Sequence, residues 1–331
     1  MDMPVVTVIT PTFNHEKYIA ECIRSVQSQS FTDWEQIIVD DGSTDATRDC
    51  IALAEPDDRR RLIVQENKGI WRLAETYNVA LGQARGKYVA ILEGDDYWPV
   101  DTLKTLVTQM EQLGTEYAVV YGQVRTVGVR NGALIGTSRM PNDYARPEDF
   151  SHQIYTPAAG IPPQASLIRR EALDQIGGFI QPASLPLVDR PTFLMLSLRW
   201  KFFHIRSELA YWRQHSSNVT SVYALQMAAG AIPWVDEFFD TIPAATAARL
   251  QVGRQRAVHI HRSIVFRMVG SYLQELQNER PLAQRWADVS GLARRHLAQW
   301  QVAALRLEML YLKAGIDLRG VSFIKGLLTR L

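Results

Sequence analysis

The chain has 331 residues, 47% of them hydrophobic, and its 36 Lys+Arg balance 35 Asp+Glu to a formal charge of +1. That is ample apolar material for a packed core, and the balance leaves bulk charge with no argument for a nucleic acid partner. Cys22 and Cys50 form neither a metal-ligand nor a redox spacing, no apolar run approaches the ~20 residues of a spanning helix, and the N-terminal residues lack a secretory pattern, so a reducing cytoplasm is the expected compartment.

Runs rich in Val and Ile at residues 5–9, 36–40, 62–65, 88–92 and 117–121 read as buried strands. Between them Ile19, Cys22, Ile23 and Val26 recur at helical spacing, as do Tyr77, Ala80, Leu81 and Ala84, and then Leu103, Leu106, Val107 and Met110. The alternation predicts an α/β fold with a doubly wound, mostly parallel sheet. Ligands of such sheets bind at the carboxyl ends of the strands, so residues 11–14, 40–45, 66–69 and 93–96 are expected to share one rim. Past residue 122 the pattern loosens, with turn formers at 129–136 and Pro141, Pro147, Pro157, Pro162 and Pro163, which marks a substrate-facing region. Order returns at 165–168, in a short helix over 170–176 and at Asp189; from Tyr223 the chain reads as continuously helical. The expected domains are 1–222, divided into a ligand-binding half (1–122) and a second half (123–222), and a helical C-terminal region, 223–331.

Glu93-Gly94-Asp95-Asp96 follows the fourth strand and sets three carboxylates in four positions, a costly arrangement unless a hard divalent ion such as Mg²⁺ or Mn²⁺ sits among them. Pro11-Thr12-Phe13-Asn14 closes the first strand with no Gly-x-Gly-x-x-Gly, which disfavours nicotinamide and flavin chemistry. In Asp40-Asp41-Gly42-Ser43-Thr44-Asp45 a carboxylate can accept from a nucleobase N–H or a ribose hydroxyl, with Ser43 or Thr44 capping the next helix; a capped turn with solvated acids is the plainer reading. Asn67-Lys68-Gly69 offers amides and a cation at the same rim, or forms a simple loop.

This ordered set, with Gly86-Lys87-Tyr88-Val89 and Leu92-Glu93-Gly94-Asp95-Asp96-Tyr97-Trp98, resembles glycosyltransferase family 2, nucleotide-sugar-dependent transferases of the GT-A fold; a second block from Ala165 through Gly177-Gly178-Phe179 to Asp189-Arg190 resembles the acceptor half of the same domain. The resemblance implies that Pro11, Thr12, Asn14, Asp40, Asp41, Asn67, Lys68 and Gly69 line the nucleotide pocket, and that Asp95 and Asp96 are the metal and sugar-nucleotide carboxylates. Glu93 stands where the family usually has Asp and is expected either to reach the ribose or to stay behind the ligand. Arg72 has no equivalent in the family's Ala-Arg-Asn element.

Asp189 is the expected general base, although Val188 replaces the family's preceding acid; its alternative role is an N-cap for a helix beginning near Pro191. Tyr211-Trp212-Arg213-Gln214-His215 resembles the family's Tyr-Arg-x-His element, which makes His215 a candidate metal ligand and Arg213 a candidate for the leaving-group charge. The implied reaction is inverting displacement from a UDP- or dTDP-sugar onto a glycan or lipid-linked acceptor in surface-polysaccharide synthesis, with Mn²⁺ or Mg²⁺ as cofactor. A sugar-phosphate nucleotidyltransferase and a turnover-impaired nucleotide-sugar-binding module are the rival readings. Arg254, Arg256, Arg262, Arg294 and Arg295 and the basic stretch 318–331 leave open peripheral contact with the inner membrane surface, a homodimer or plain packing for the helical tail.

Overall fold

The computed structural model describes residues 3–128, 134–137, 161–215, 217–250 and, with interruptions, 253–306. Strands and helices alternate in the order β1 (Val6–Thr12), α1 (Ile19–Gln27), β2 (Trp34–Asp40), α2 (Thr47–Ala52), β3 (Arg60–Val64), α3 (Leu73–Gln83), β4 (Tyr88–Ile91) and α4 (Thr102–Gln112). Every residue of β1, β2 and β4 is buried, as the β-branched runs require once helices cover both faces. The helix-period residues of α1 and α4 are buried too, which is why these segments coil and dock instead of extending.

Strands β3, β2, β1 and β4 lie side by side and parallel. The next neighbour of β4 differs from a simple continuation of that series. Strand β7 (Ser166–Arg169) inserts antiparallel between β4 and β5 (Tyr117–Gly128), so a later block of sequence occupies the centre of the sheet. β5 runs seven residues past the expected end at 121, and β6 (Leu134–Thr137) pairs antiparallel with it where turns were expected. β8 (Lys201–Gln214) pairs parallel with β5, with register shifts, and completes an eight-stranded mixed sheet. Its mixed burial gives no clean alternation, which is why the sequence pattern did not reveal it. Pro141, Pro147 and Pro157 lie outside the described residues.

The helix after β7, α5 (Arg170–Gln175), and α6 (Asp189–Ser197) follow, then a turn of helix, α7 (Val219–Val222). Contacts divide the chain into one compact unit of Met1–Val222 with Ala248–Gln251, and a second of Tyr223–Ala247 with Val252–Leu331. The second holds α8 (Ala224–Thr241), α9 (Ala244–Ala247) and a helix over Leu282–His296, with its own core of Ile232, Val265, Phe266, Val289, Ala293 and Leu305. Arg254 of this unit pairs with Asp236 and Asp240, so part of the basic character of the tail is neutralised internally. Residues 318–331 lie outside the described residues, and no helix among the described residues is long and apolar enough to cross a membrane.

Candidate active site

The parallel register of β3, β2, β1 and β4 brings their carboxyl ends, and with them the four polar segments, to one rim. The loop after β4 is drawn against the end of β1: Gly94 N–H donates to the Pro11 carbonyl at 3.0 Å. A Cβ on Gly94 would stand 2.6 Å from Thr12 Oγ1 and 2.8 Å from His15 Nδ1, so only glycine lets the acidic loop approach this closely.

Glu93, Asp95 and Asp96 present carboxylate oxygens that all lie within 4.8 Å of one another. Their surroundings differ. Burial, then the Asp95 charge, pushes Glu93 up to about 7, and Tyr77 donates its hydroxyl to Glu93 Oε1 at 2.7 Å. Burial, with the charges of Asp95 and Glu93, also raises Asp96. Burial would raise Asp95 as well, but the hydrogen bond from His215 and the charges of His15 and His215 outweigh it and hold its carboxyl below the usual range. Asp96 Oδ1 accepts the Arg213 backbone N–H at 2.9 Å, while Asp96 Oδ2 is buried and has no hydrogen-bond partner among the described residues. A buried carboxylate oxygen left without a donor is destabilising. Together with two neighbouring carboxylates it forms the oxygen-rich donor set that Mg²⁺ or Mn²⁺ takes, so the residues fit a divalent cation.

His215 Nε2 lies 3.1 Å from Asp95 Oδ2, its Nδ1 lies 2.8 Å from Ser217 Oγ, and its ring stacks on Tyr18 with centroids 4.9 Å apart. Asn218 Nδ2 also donates to Asp95 Oδ2, at 3.3 Å. His15 Nε2 stands 3.9 Å from the same oxygen, and burial lowers its imidazole below the ordinary value. Two imidazoles thus flank one carboxylate. His15 and Asn218 escaped the sequence reading, although His15 directly follows the Pro11–Asn14 segment.

Arg213, a candidate for the leaving-group charge, has partners within the protein. Its guanidinium donates to the Asp95 carbonyl at 2.6 Å, pairs with Glu21 and lies 4.4 Å above the Tyr97 ring. It braces the acidic loop from within the protein. The last residues of β8 reach this loop because Tyr211 exchanges backbone hydrogen bonds with Tyr97, at 2.9 and 3.4 Å, and the two rings stack.

The loops after β1 and β2 are zipped together by side chains the sequence reading had assigned to ligand. Asn14, at φ 55°, accepts Thr44 N–H on its side-chain oxygen at 2.8 Å and gives its own N–H to Ser43 Oγ at 2.9 Å. Asp40 is fully buried and accepts from the Ser43 N–H and hydroxyl, with Arg48 Nε at 3.6 Å. Neither Ser43 nor Thr44 caps the next helix: α2 has Ala46 at its N-cap, and Asp45 takes the Thr47 N–H and the Glu16 N–H. Asp41 binds the turn after β3, accepting from Lys68 N–H (3.0 Å), Gly69 N–H (3.3 Å) and Gln65 Nε2 (2.5 Å). Gly42 sits at φ +75°, and a Cβ there would meet Asn67 N at 2.8 Å, so the Asp41 and Asn67 segments touch through glycine. Thr12 is buried with its hydroxyl 3.1 Å from His15 Nδ1, while Asn67 is exposed and Lys68 and Gly69 are half-buried.

Asp189 is the first residue of α6, half-buried, with Val188 at the N-cap and no side-chain cap bond, which replaces the N-cap alternative. Burial raises its carboxyl, partly opposed by the Arg190 charge. The Asp189 charge is in turn among the causes that raise Glu93 and Tyr77, so it belongs to the same electrostatic neighbourhood as the acidic loop.

The family model for glycosyl transferase family 2 matches residues 7–177. The glycosyltransferase GlyG of Streptococcus pneumoniae is 29% identical over 181 residues, 52% of this chain and 59% of the relative. The Escherichia coli UDP-Glc:alpha-D-GlcNAc-diphosphoundecaprenol beta-1,3-glucosyltransferase WfgD is 33% identical over 137 residues, 41% and 51% of the two chains. The chain thus spans about half the length of these curated relatives. Among solved structures, S. aureus TarS (residues 1–349, with UDP-GlcNAc) superposes with a TM-score of 0.58 at 19% identity, covering 93% of this chain and 87% of that one. A mannosyltransferase of Pyrobaculum calidifontis, in complex with GDP-Man and Mn²⁺, gives 0.54 at 20% identity over 94% and 88%. The chain has the GT-A fold and belongs to glycosyl transferase family 2.

Proposed function

We propose that this chain is a metal-dependent, inverting glycosyltransferase that moves a sugar from a UDP- or dTDP-sugar to a hydroxyl of a glycan or lipid-linked acceptor in surface-polysaccharide synthesis. The observation that carries the reading is the triad Glu93, Asp95 and Asp96 at the carboxyl end of β4, with one buried Asp96 oxygen lacking a donor among the described residues. Asp95 and Asp96, with His215 beside them, would hold the cation; bound Mn²⁺ or Mg²⁺ supplies charge neutralisation on a departing diphosphate. The acceptor chemistry draws support from the printed activity of WfgD and the donor class from the UDP-GlcNAc complex of TarS. A cytoplasmic site of action at the inner membrane surface follows from a lipid-linked acceptor of that kind.

The protein's own residues do the rest. Asp41 locks the turn of Asn67, Lys68 and Gly69 against the end of β2, which pre-shapes a nucleoside pocket between these segments and Pro11 and Thr12. Asp189, whose carboxyl is raised by burial, is a better proton acceptor near neutral pH than a solvated aspartate and takes the proton of the attacking hydroxyl. No covalent intermediate is required, so a single displacement inverts the anomeric centre.

A thermal-shift panel of UDP, dTDP and GDP sugars, with and without Mn²⁺, tests this reading, since a ligand at about 100 times its Kd adds ~2.7 kcal/mol to the folded state. The expected result is stabilisation by a UDP or dTDP compound that requires the cation, and transfer that falls ~10²- to 10⁴-fold in Asp189→Asn with donor binding retained. A cation-independent shift, or full turnover in Asp189→Asn, overturns it.

A further inference from the structure

We infer that Tyr77 is a positioning residue of this site: its hydroxyl sets the direction of the Glu93 carboxylate, and its ring ties that acid to the segment leading into Asp189. The inference rests on the transferase reading above for its catalytic meaning, but not for its structural content. Tyr77 is only 3% exposed on α3 and donates to Glu93 Oε1 at 2.7 Å. Its ring packs against Phe179 with centroids 5.1 Å apart at a tilt of 59°. The neighbouring Asn78 holds the Phe179 backbone from both sides, accepting its N–H at 2.8 Å and donating to its carbonyl at 2.9 Å. Gln181 extends the attachment by donating to the Ile70 carbonyl at 2.7 Å and accepting Ala74 N–H at 3.0 Å. The start of α3 is therefore fastened to residues 179–181, ten residues or fewer before Asp189, while the Tyr77 hydroxyl points at the acidic loop.

A buried phenol needs some hydrogen-bond partner, and a nearby carbonyl would satisfy it. The partner here is instead one of the three acids whose oxygens converge. Glutamate carries one more rotatable bond than aspartate, and a freely turning side chain places its carboxylate poorly; one fixed oxygen removes that freedom. Asp95 is held by His215 and Asn218 and Asp96 by the Arg213 N–H; the longer Glu93, which departs from the family's usual aspartate, is held by Tyr77.

The test uses the full chain with MnCl₂ alone, followed by free-Mn²⁺ electron paramagnetic resonance, and separately hydrolysis of UDP-GlcNAc and UDP-glucose in MnCl₂. Tyr77→Phe keeps the ring and removes the tether. It is expected to weaken Mn²⁺ binding about tenfold, the scale of one net hydrogen bond. Glu93→Gln weakens it at least as much, and adding Tyr77→Phe to Glu93→Gln costs nothing further, because the hydroxyl acts through that acid. Hydrolysis shows the same non-additive pattern in kcat, with the melting temperature of Tyr77→Phe close to wild type. Wild-type affinity in Tyr77→Phe, penalties that multiply in the double variant, or a wild-type chain that takes up no Mn²⁺ overturns the inference. A chain that binds Mn²⁺ with this pattern but hydrolyses neither these two nor any other UDP- or dTDP-sugar of the thermal-shift panel contradicts the transferase reading and leaves the role of Tyr77 standing.

Discussion

Two buried acidic groups stand at opposite ends of the same parallel strands, and they are finished differently. At the amino end, Glu35 of β2 accepts from Thr7 of β1 (2.8 Å), from the Arg85 backbone (2.7 Å) and Nε (2.9 Å), and from Arg61 of β3 (2.9 Å). Burial would raise its carboxyl, but these bonds, led by the Arg85 N–H and the Thr7 hydroxyl, win and hold it below the usual range. At the carboxyl end, burial and then the Asp95 charge push up Glu93, burial with the Asp95 and Glu93 charges pushes up Asp96, and one Asp96 oxygen has no donor among the described residues. The first group is a saturated tie that stitches three strands and the turn before β4. The second carries unspent electrostatic free energy that only a cation or a proton can release. An acid's burial alone therefore says little about function, whereas its balance of donors says a good deal.

The largest expected effect comes from breaking the saturated group. Glu35→Ala leaves the buried Thr7 hydroxyl and the Arg85 N–H without their acceptor, the half-exposed Arg61 and Arg85 guanidinium groups remaining hydrated. It is expected to destabilise folding by about 2–4 kcal/mol in urea titration, while turnover per folded molecule stays unchanged. A loss of activity without loss of stability would mean that Glu35 serves the reaction and not the fold.

The two groups also respond to pH with opposite sign. Glu35 has a folded pKa below its unfolded value, so its contribution is present above about pH 4.3 and lost as pH falls further. Glu93 has a folded pKa raised to about 7, so the stability linked to it is present below about pH 4.3 and declines as pH rises toward 7. In EDTA the chain is expected to lose stability between these limits, a slope that added Mn²⁺ flattens by neutralising the same acids. Denaturation midpoints at a series of pH values measure it, and a metal-free profile that stays flat in this interval counts against the assignment.

A smaller effect probes the approach of the loops. Gly94→Ala forces a methyl against Thr12 and His15, and a destabilisation of about 1–3 kcal/mol is expected, with a loss of Mn²⁺-dependent nucleotide binding larger than the stability change explains. Calorimetry with UDP and MnCl₂ checks the second part. The smallest effect has the opposite sign to Glu35→Ala: Asp96→Asn gives the orphaned position a neutral side chain and is expected to stabilise the metal-free protein by about 1 kcal/mol while abolishing stabilisation by Mn²⁺. A destabilised Asp96→Asn would mean that this acid is as well satisfied as Glu35.

Much of the site was legible because strand and rim are local matters. The runs behind β1, β2 and β4 declare themselves by β-branched burial, whereas β3, expected to be buried like them, is the edge strand and leaves Leu62 and Val64 exposed. A parallel sheet necessarily delivers the residues after each strand to one edge, so Thr12, Asp41, Asn67 and Asp95 could be placed together without coordinates. The division of labour among those residues could not be read this way. Asn14 and Asp45 differ little in type from Asp95, yet their side chains are consumed by backbone N–H groups of the neighbouring loop, and that depends on which loops touch.

Residue order alone therefore settled the parallel half of the sheet, its family resemblance and the location of the acidic loop, since each depends on periodicity or on a contiguous motif. Tertiary structure decided what is made of pieces far apart in sequence: β7 entering between β4 and β5, β8 carrying Arg213 to Asp96 across 117 positions, and Tyr77 reaching Glu93. Those pairings arise from packing long-range surfaces against one another, and hydrogen-bond saturation is a property of the packed arrangement that no single segment possesses.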